Sequence, residues 1–211
     1  MDLAALRQDY MRQSLRREDL AADPIDQFTR WIEQAQQAQA PEPNAAVLAT
    51  VDAAGQPHTR TVLLKKLDAR GFVFFTNLES TKAVHLAANP RASLLFLWLP
   101  LERQVTLTGI AEKIPASETL AYFLTRPLGS RLGAWTSQQS RVISSRSLLE
   151  QKWEQMKRKF ADGDVPLPSF WGGYRVNPQT IEFWQGRRNR LHDRLLYTRA
   201  DDGWRIDRLQ P

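Results

Sequence analysis

AAVLATVDAAGQPHTRTVLLKKLDARGFVFFTN, residues 45–77, alternates extended segments with turn chemistry. AAVLATV, HTRTVLLKK and GFVFFTN are rich in β-branched and aromatic residues, while DAAGQP and LDAR between them carry the Gly, Pro and Asp of tight connections. An antiparallel meander follows from that pattern. Downstream, STKAVHLAANP predicts a short helix with Ser80 as N-cap and Pro90 as its stop, after which ASLLFLWL and RQVTLTGIAEKI return to strand. Upstream, two helices are predicted. The second has Asp23 as N-cap, Pro24 at its first position, Ile25, Phe28, Ile32 and Ala35 along one face, and APEP as its end.

Residues 116–125 and about 145–161 predict helices, the latter with Leu149, Trp153, Met156 and Phe160 at helical spacing. Beyond GDVPLPSFWGG, the segments YRV, TIEFWQ, RLLYTR and WRIDRL read as closing strands, with NPQ and ADDG as turns. Short strands in hairpin order with inserted helices predict a mainly β antiparallel barrel with added helices. No repeat or long linker interrupts the chain. The expected organisation is one domain over 1–211, with an N-terminal helical segment at 1–40 and a C-terminal strand region at 170–211.

With 211 residues, 42% hydrophobic and 25% charged, the chain is long enough for a sizeable core. The absence of cysteine excludes disulfides, thiolate metal sites and a cysteine nucleophile. MDLAALRQDYMRQSLRREDL is charged and lacks the apolar region of a secretory signal, and no apolar run reaches membrane-span length. A cytoplasmic protein without membrane contact is therefore expected. Lys and Arg number 29 against 23 Asp and Glu, a net charge of +6 that favours anionic partners. The cations stand singly or in pairs among apolar residues, which fits discrete phosphate pockets better than a polyanion footprint.

Several segments carry candidate chemistry. RTVLLK, Arg60 to Lys65, is a strand with a cation at each end, readable as an ordinary edge strand. STKA places Lys82 in a first helical turn, a possible anion site or simply a capped surface helix. AYFLTRPLGSRLGAW sets Tyr122 and Arg126 four apart on a helix face with Ser130 close behind, three donors suited to a phosphate monoester; an Arg stacked on a surface Tyr is the alternative. SQQSR, residues 137–141, reads as a polar loop. In FWQGRRNRLHDR, residues 183–194, a strand would put Arg190 and His192 on one face, and Asp193 would pair with Arg194. His58 and His85 lack metal-ligand spacing to His192, so no metal site is expected and both read as ordinary residues. No G-x-S-x-G elbow occurs. Arg16, Arg17 and Arg208 raise a second phosphate site, against the plainer reading of solvated arginines.

Taken in order, RTVLLK, FFTN, STKA, LERQV, SQQSR, PLPSFWGGYRV, IEFWQGRRNRLHDR and WRIDRLQP resemble the pyridoxamine 5′-phosphate oxidase family, FMN-dependent enzymes of vitamin B6 metabolism. The resemblance runs from LRQDY to Pro211. It implies a homodimer of FMN-binding split barrels, Greek-key-like, with each flavin between subunits. By resemblance, Arg60, Thr61, Val62, Leu63, Leu64, Lys65, Phe75, Thr76, Thr81, Lys82, Gln104, Gln139, Ser140, Trp184 and Arg194 contact FMN, with Arg60 and Lys82 on its phosphate. Thr81 stands where the family commonly has the arginine of SRKA. Lys65, Tyr122, Arg126 and Ser130 match the clamp on the substrate phosphate. Arg190, Leu191 and His192 match the group above the substrate ring, Arg190 and His192 being the catalytic pair, and Arg7 and Tyr10 match a covering segment. Glu42 replaces an expected aspartate, and Arg187, Arg188 and Asn189 replace a Gly-Glu-His type sequence.

The implied reaction oxidises pyridoxamine or pyridoxine 5′-phosphate to pyridoxal 5′-phosphate, with O2 as acceptor and H2O2 as product. Rival readings are a split-barrel flavin reductase or oxidase with another substrate, a noncatalytic carrier of pyridoxal phosphate, and a basic nucleic-acid-binding barrel using Phe74, Phe75, Trp98 and Trp184 as stacking platforms.

Overall fold

The computed structural model describes residues 14–211. The Asp23 carboxylate accepts the Ile25 amide at 2.7 Å and Pro24 opens helix α1 (Pro24–Gln37), which buries Phe28, Trp31 and Ala35. The meander follows as β1 (Ala45–Val51), β2 (Pro57–Leu63), β3 (Lys66–Asp68) and β4 (Gly71–Asn77). Next come α2 (Thr81–Ala88), β5 (Arg91–Trp98) and β6 (Arg103–Lys113). Three helices, α3 (Ala116–Thr125), α4 (Leu128–Thr136) and α5 (Arg146–Lys159), precede β7 (Trp171–Gln185), β8 (Asp193–Ala200) and β9 (Gly203–Leu209). No helix among the described residues is long and apolar enough to cross a membrane.

All nine strands join one antiparallel sheet, in the order β2-β1-β5-β6-β7-β4-β3, with β8 on β7 and β9 on β8. β2 and β3 lie at opposite ends of that order, yet only Leu64 and Lys65 separate them in sequence. The sheet must therefore curl until its edges meet. Leu64 still donates to the Asn44 carbonyl at 2.8 Å, and Lys65 already donates to Val73 on β4 at 2.9 Å. HTRTVLLKK is thus two strands and not one, because the chain changes partners in its middle. The result is a mostly antiparallel half-barrel with five helices.

β7 is the spine: β6 pairs with Tyr174 to Gln185, β4 with Trp171 to Val176, and β8 with Thr180 to Gln185. NPQ, expected as a turn, lies inside this strand. Thr108 pairs with Thr180 and Gly109 with Pro178, so Gln179 is the extra residue of a β-bulge. Pro178 is tolerated because residues 177–179 fall between the β4 and β8 pairings, where its missing N–H breaks no ladder bond.

The barrel core is aromatic: Phe28, Phe72, Phe96, Trp98, Phe183 and Tyr197 are all essentially inaccessible. Phe74 and Trp98, both about 1% exposed, are core residues and not stacking platforms for nucleic acid. A second cluster of Phe123, Leu132, Phe160, Val165 and Trp171 fastens α3, α4 and α5 to the barrel. α4, unanticipated from the sequence, interrupts what read as a break after Pro127. Of the two expected opening helices, the second is α1; Arg17–Asp19 forms one 3-10 turn.

Candidate active site

A cavity of about 370 Å³ opens between the barrel and helices α3 and α4. It gathers residues from several separate segments: Leu63 and Lys65 at the β2 crossover, Phe75 and Thr76 on β4, Tyr122 in α3, Arg126 and Ser130 around the α3–α4 junction, and Gln139 from the following loop. Tyr122 and Arg126 do not share a helix face as expected. Arg126 is the C-cap of α3 in extended conformation, because the residue before Pro127 avoids the helical region, and Ser130 sits inside α4.

One wall is a stack of rings. Phe75 and Tyr122 lie 4.0 Å apart at 18°, Phe75 and Trp171 5.3 Å apart at 7°, and the Arg126 guanidinium sits 4.7 Å over Trp171. Nη1 of Arg126 is buried without a hydrogen-bond partner. A buried, unpaired guanidinium N–H is costly unless an acceptor arrives, so this corner is built for an anion. Burial lowers the pKa of Arg126 and raises that of Tyr122, against the opposing pull of each on the other; the phenol therefore stays a donor.

A second cationic corner adjoins the first. Lys82 Nζ donates to Gln139 Oε1 at 2.6 Å, Thr76 Oγ1 at 3.1 Å and Ser80 Oγ at 3.3 Å. The Ser80 hydroxyl donates to the Asn77 carbonyl and does not cap α2 as expected. Half-buried Arg60 donates to Thr50 Oγ1 at 2.6 Å and to the Leu48 carbonyl at 3.3 Å. Neither cation meets a carboxylate among the described residues. Burial, and then Arg60, pull the Lys82 pKa down to about 8. Two cations so placed with only neutral partners fit a phosphate, the group that FMN would bring. Val62 and Leu64 pack toward the core, Thr61 is exposed, and Thr81 is exposed at the start of α2.

The remaining expected site residues lie elsewhere. His192 rests 4.5 Å from the Trp184 ring, and its Nδ1 accepts the Arg187 amide at 3.1 Å, leaving the proton on Nε2. Burial, and then Arg190, lower its pKa, so the ring is neutral near pH 7. Arg190 and His192 do not alternate on a strand: residues 188–190 form a 3-10 turn with positive φ at Asn189 and Arg190, and β8 starts only at Asp193. Leu191 is exposed on this turn. Gln104 and Arg194 flank Trp184 across the sheet. Arg194 grips Glu182 through two hydrogen bonds of 2.7 and 3.0 Å, and Asp193 pairs with Arg208 at 2.7 Å; the expected Asp193–Arg194 pair does not form.

Ser140 is exposed in the loop after α4, with φ of 71°. Arg16 pairs with Glu18 and Asp19, Arg17 donates to the Ile206 carbonyl, and Arg208 also reaches the Leu15 carbonyl, so these three arginines already have protein partners. Arg7 and Tyr10 lie outside the described residues. Sequence reasoning missed Trp171, although PSFWGG marked it, and the cavity-lining Asn77 and Ser137. It also judged His58 and His85 by their spacing to His192, whereas the packing of α2 on the β1–β2 hairpin brings them to each other and to Asp52.

Comparison with known proteins identifies the family. A family profile described as pyridoxamine 5′-phosphate oxidase matches residues 32–160, and one described as the pyridoxine 5′-phosphate oxidase C-terminal dimerisation region matches residues 171–211. The chain is 59% identical, over 212 residues and the full length of both proteins, to a pyridoxine/pyridoxamine 5′-phosphate oxidase of Rippkaea orientalis. Among solved structures, PhzG from Burkholderia lata, in complex with tetrahydrophenazine-1-carboxylic acid, superposes with a TM-score of 0.87 at 31% identity, covering 92% of this chain and 95% of that one. A pyridoxamine 5′-phosphate oxidase-related, FMN-binding protein of Nostoc punctiforme shares the fold, with a TM-score of 0.72 at 17% identity over 92% of this chain and 99% of that one. By these matches the chain belongs to the pyridoxine/pyridoxamine 5′-phosphate oxidase family.

Proposed function

We propose that this protein oxidises pyridoxamine 5′-phosphate and pyridoxine 5′-phosphate to pyridoxal 5′-phosphate, with FMN as its flavin and O2 as the final acceptor. The observation that carries the reading is the pair of adjoining anion sockets. Among the described residues, Arg126 offers a buried guanidinium nitrogen with no hydrogen-bond partner, and Lys82 with Arg60 forms a cation pair with no carboxylate. Thr76 and Gln139 line the cavity and also touch Lys82, so the sockets share a wall. One socket suits a substrate phosphate and the other a flavin phosphate. FMN, when bound, supplies the hydride acceptor and passes the electrons to O2, giving H2O2.

Each residue then has a defined task. Arg126, Lys65, Tyr122 and Ser130 hold the substrate phosphate, a group that does not react, so its binding energy serves to position the reacting carbon. Arg60 and Lys82 hold the cofactor phosphate. Neutral His192, whose Nδ1 accepts the Arg187 amide, and Arg190 on the same turn serve the polar substituents of the pyridine ring.

The Arg190–His192 turn follows β7, whereas the cavity lies at its other end around Trp171. The thirteen residue steps of strand from Trp171 to Trp184 span roughly 40 Å of chain at about 3.3 Å per step. A homodimer in which the turn of one protomer covers the cavity of the other reconciles these positions, and the match of residues 171–211 to a dimerisation region supports it.

The test is an absorbance spectrum of the purified protein supplied with FMN, followed by anaerobic addition of pyridoxamine 5′-phosphate. The flavin band should bleach, then return in air as pyridoxal 5′-phosphate and H2O2 accumulate. Bound flavin that does not bleach rejects the substrate, and failure to retain FMN rejects the cofactor.

A further inference from the structure

Asp52, His58 and His85 meet where α2 crosses the β1–β2 hairpin, and their ligand atoms all lie within 4.8 Å of one another. Each is held by the fold. Thr50 stands opposite His58 in the β1/β2 register, and β2 alternation points His58 to the same side as Arg60. Asp52 begins the hairpin turn, and its Oδ1 accepts the Ala54 and Gln56 amides at 2.9 Å each, which leaves Oδ2 directed at His58 Nε2, 3.0 Å away. His85 comes from α2 and is buried; its ring lies 4.8 Å from that of His58 and its Nδ1 3.1 Å from Thr50 Oγ1. That hydroxyl already accepts from Arg60 and has a second lone pair for the Nδ1–H of His85, which frees His85 Nε2 as a donor atom.

We propose that Asp52, His58 and His85 form a binding site for a divalent transition-metal ion of the Zn²⁺ type. Two imidazoles and one carboxylate are the donor set that zinc and its neighbours prefer, whereas Mg²⁺ and Ca²⁺ require mostly oxygen. Three protein ligands leave a fourth position to water. Bonds of about 2.1 Å bring tetrahedral donors to roughly 3.4 Å from each other, so the wider separations must contract by an ångström or so. The half-exposed His58 ring, on an edge strand, has the freedom to make that adjustment.

The ion would take the place of the proton between His58 and Asp52 and fasten the hairpin to α2. Arg60 is one hydroxyl away and opposes a cation, so the ion exchanges with solvent and yields to chelators. The site is independent of the substrate reading. It touches the cofactor socket only through Thr50.

The experiment uses flavin-loaded protein free of tag histidines, stripped with a chelator and titrated calorimetrically with Zn²⁺, then with Co²⁺ to read its visible absorption. The wild type should take up one ion per chain and give a Co²⁺ spectrum of nitrogen and oxygen ligation. Asp52→Asn and His58→Gln, both at half-exposed positions, should weaken binding at least about tenfold while retaining flavin and circular dichroism. Mg²⁺ should not compete. No Zn²⁺ uptake by the wild type, or equal uptake by both variants, overturns the proposal and leaves an Asp–His hydrogen bond only.

Discussion

At Lys82, burial and function pull in opposite directions. Its ammonium is enclosed by hydroxyl and amide oxygens beside Arg60, which lowers its pKa from 10.5 to about 8. Between those two values the unfolded chain binds more protons at this residue than the native protein does. Flavin-free protein therefore gains stability as pH rises through that window, and carries the cost of a charged Lys82 below it. A phosphate dianion opposes this shift by favouring the ammonium, so flavin affinity should fall as pH rises past 8. The check is a set of thermal melts of wild type and Lys82→Met from pH 7 to 10, with and without FMN. Without FMN, the stability of wild type relative to the variant should climb with pH; with FMN that climb should shrink or vanish, because the phosphate returns the Lys82 pKa toward its unfolded value. An equal climb with and without FMN would remove Lys82 from the cofactor socket.

Among the elements, those specified by their own residues were legible in the sequence, and those specified by neighbours were not. The α1 cap, the extents of β1 and β4, and α3 follow from local signals: Asp23-Pro24, β-branched runs between turns, and an apolar stripe. By contrast, β2 and β3 divide because Lys65 changes hydrogen-bonding partner, which no local pattern records. α4 carries Gly129 and Gly133, poor helix formers, so its own residues argue against a helix that its packing against α5 nevertheless holds; a Cβ at either glycine would make only ordinary contact with the Trp153 ring, at 3.8 and 3.9 Å. The candidate site was legible mainly through resemblance, since its cavity unites β4, the α3–α4 junction and a loop. NPQ read as a turn because the bulge at Gln179 that accommodates it exists only in the pairing with β6. Gly109 permits it: a Cβ there would collide with the Asn177 carbonyl, a backbone atom that no rotamer change moves aside. Gly109→Ala should thus cost about 1–3 kcal/mol in urea unfolding, the range of an overpacked core position. A cost near zero would mean that β6 and β7 can slide apart, and that the bulge does not fix their register.

On the scale of the whole molecule, the strand that unites the sheet also separates the two halves of the chemistry. Trp171 at one end of β7 stacks in the cavity wall with Phe75, and Trp184 near the other end carries His192 against its ring. If the turn of one protomer covers the cavity of the other, each site draws Arg126 from one chain and Arg190 from its mate. Arg126→Ala and Arg190→Ala homodimers should then both be impaired when assayed at substrate concentrations below the wild-type KM. In a mixed dimer, one site inherits both defects and the other inherits neither, so a mixture of two weak enzymes regains an intact site. Random exchange of subunits at equal amounts makes half the dimers mixed, each with one of its two sites whole, and activity should recover to about a quarter of wild type. The measurement is activity after co-expression or dissociation and reassembly, with separately purified variants combined without exchange as the baseline. Recovery well above that baseline requires a composite site. Activity equal to the mean of the two variants would place Arg126 and Arg190 in the same protomer's site, and β7 would then have to bend far enough to bring its own ends together.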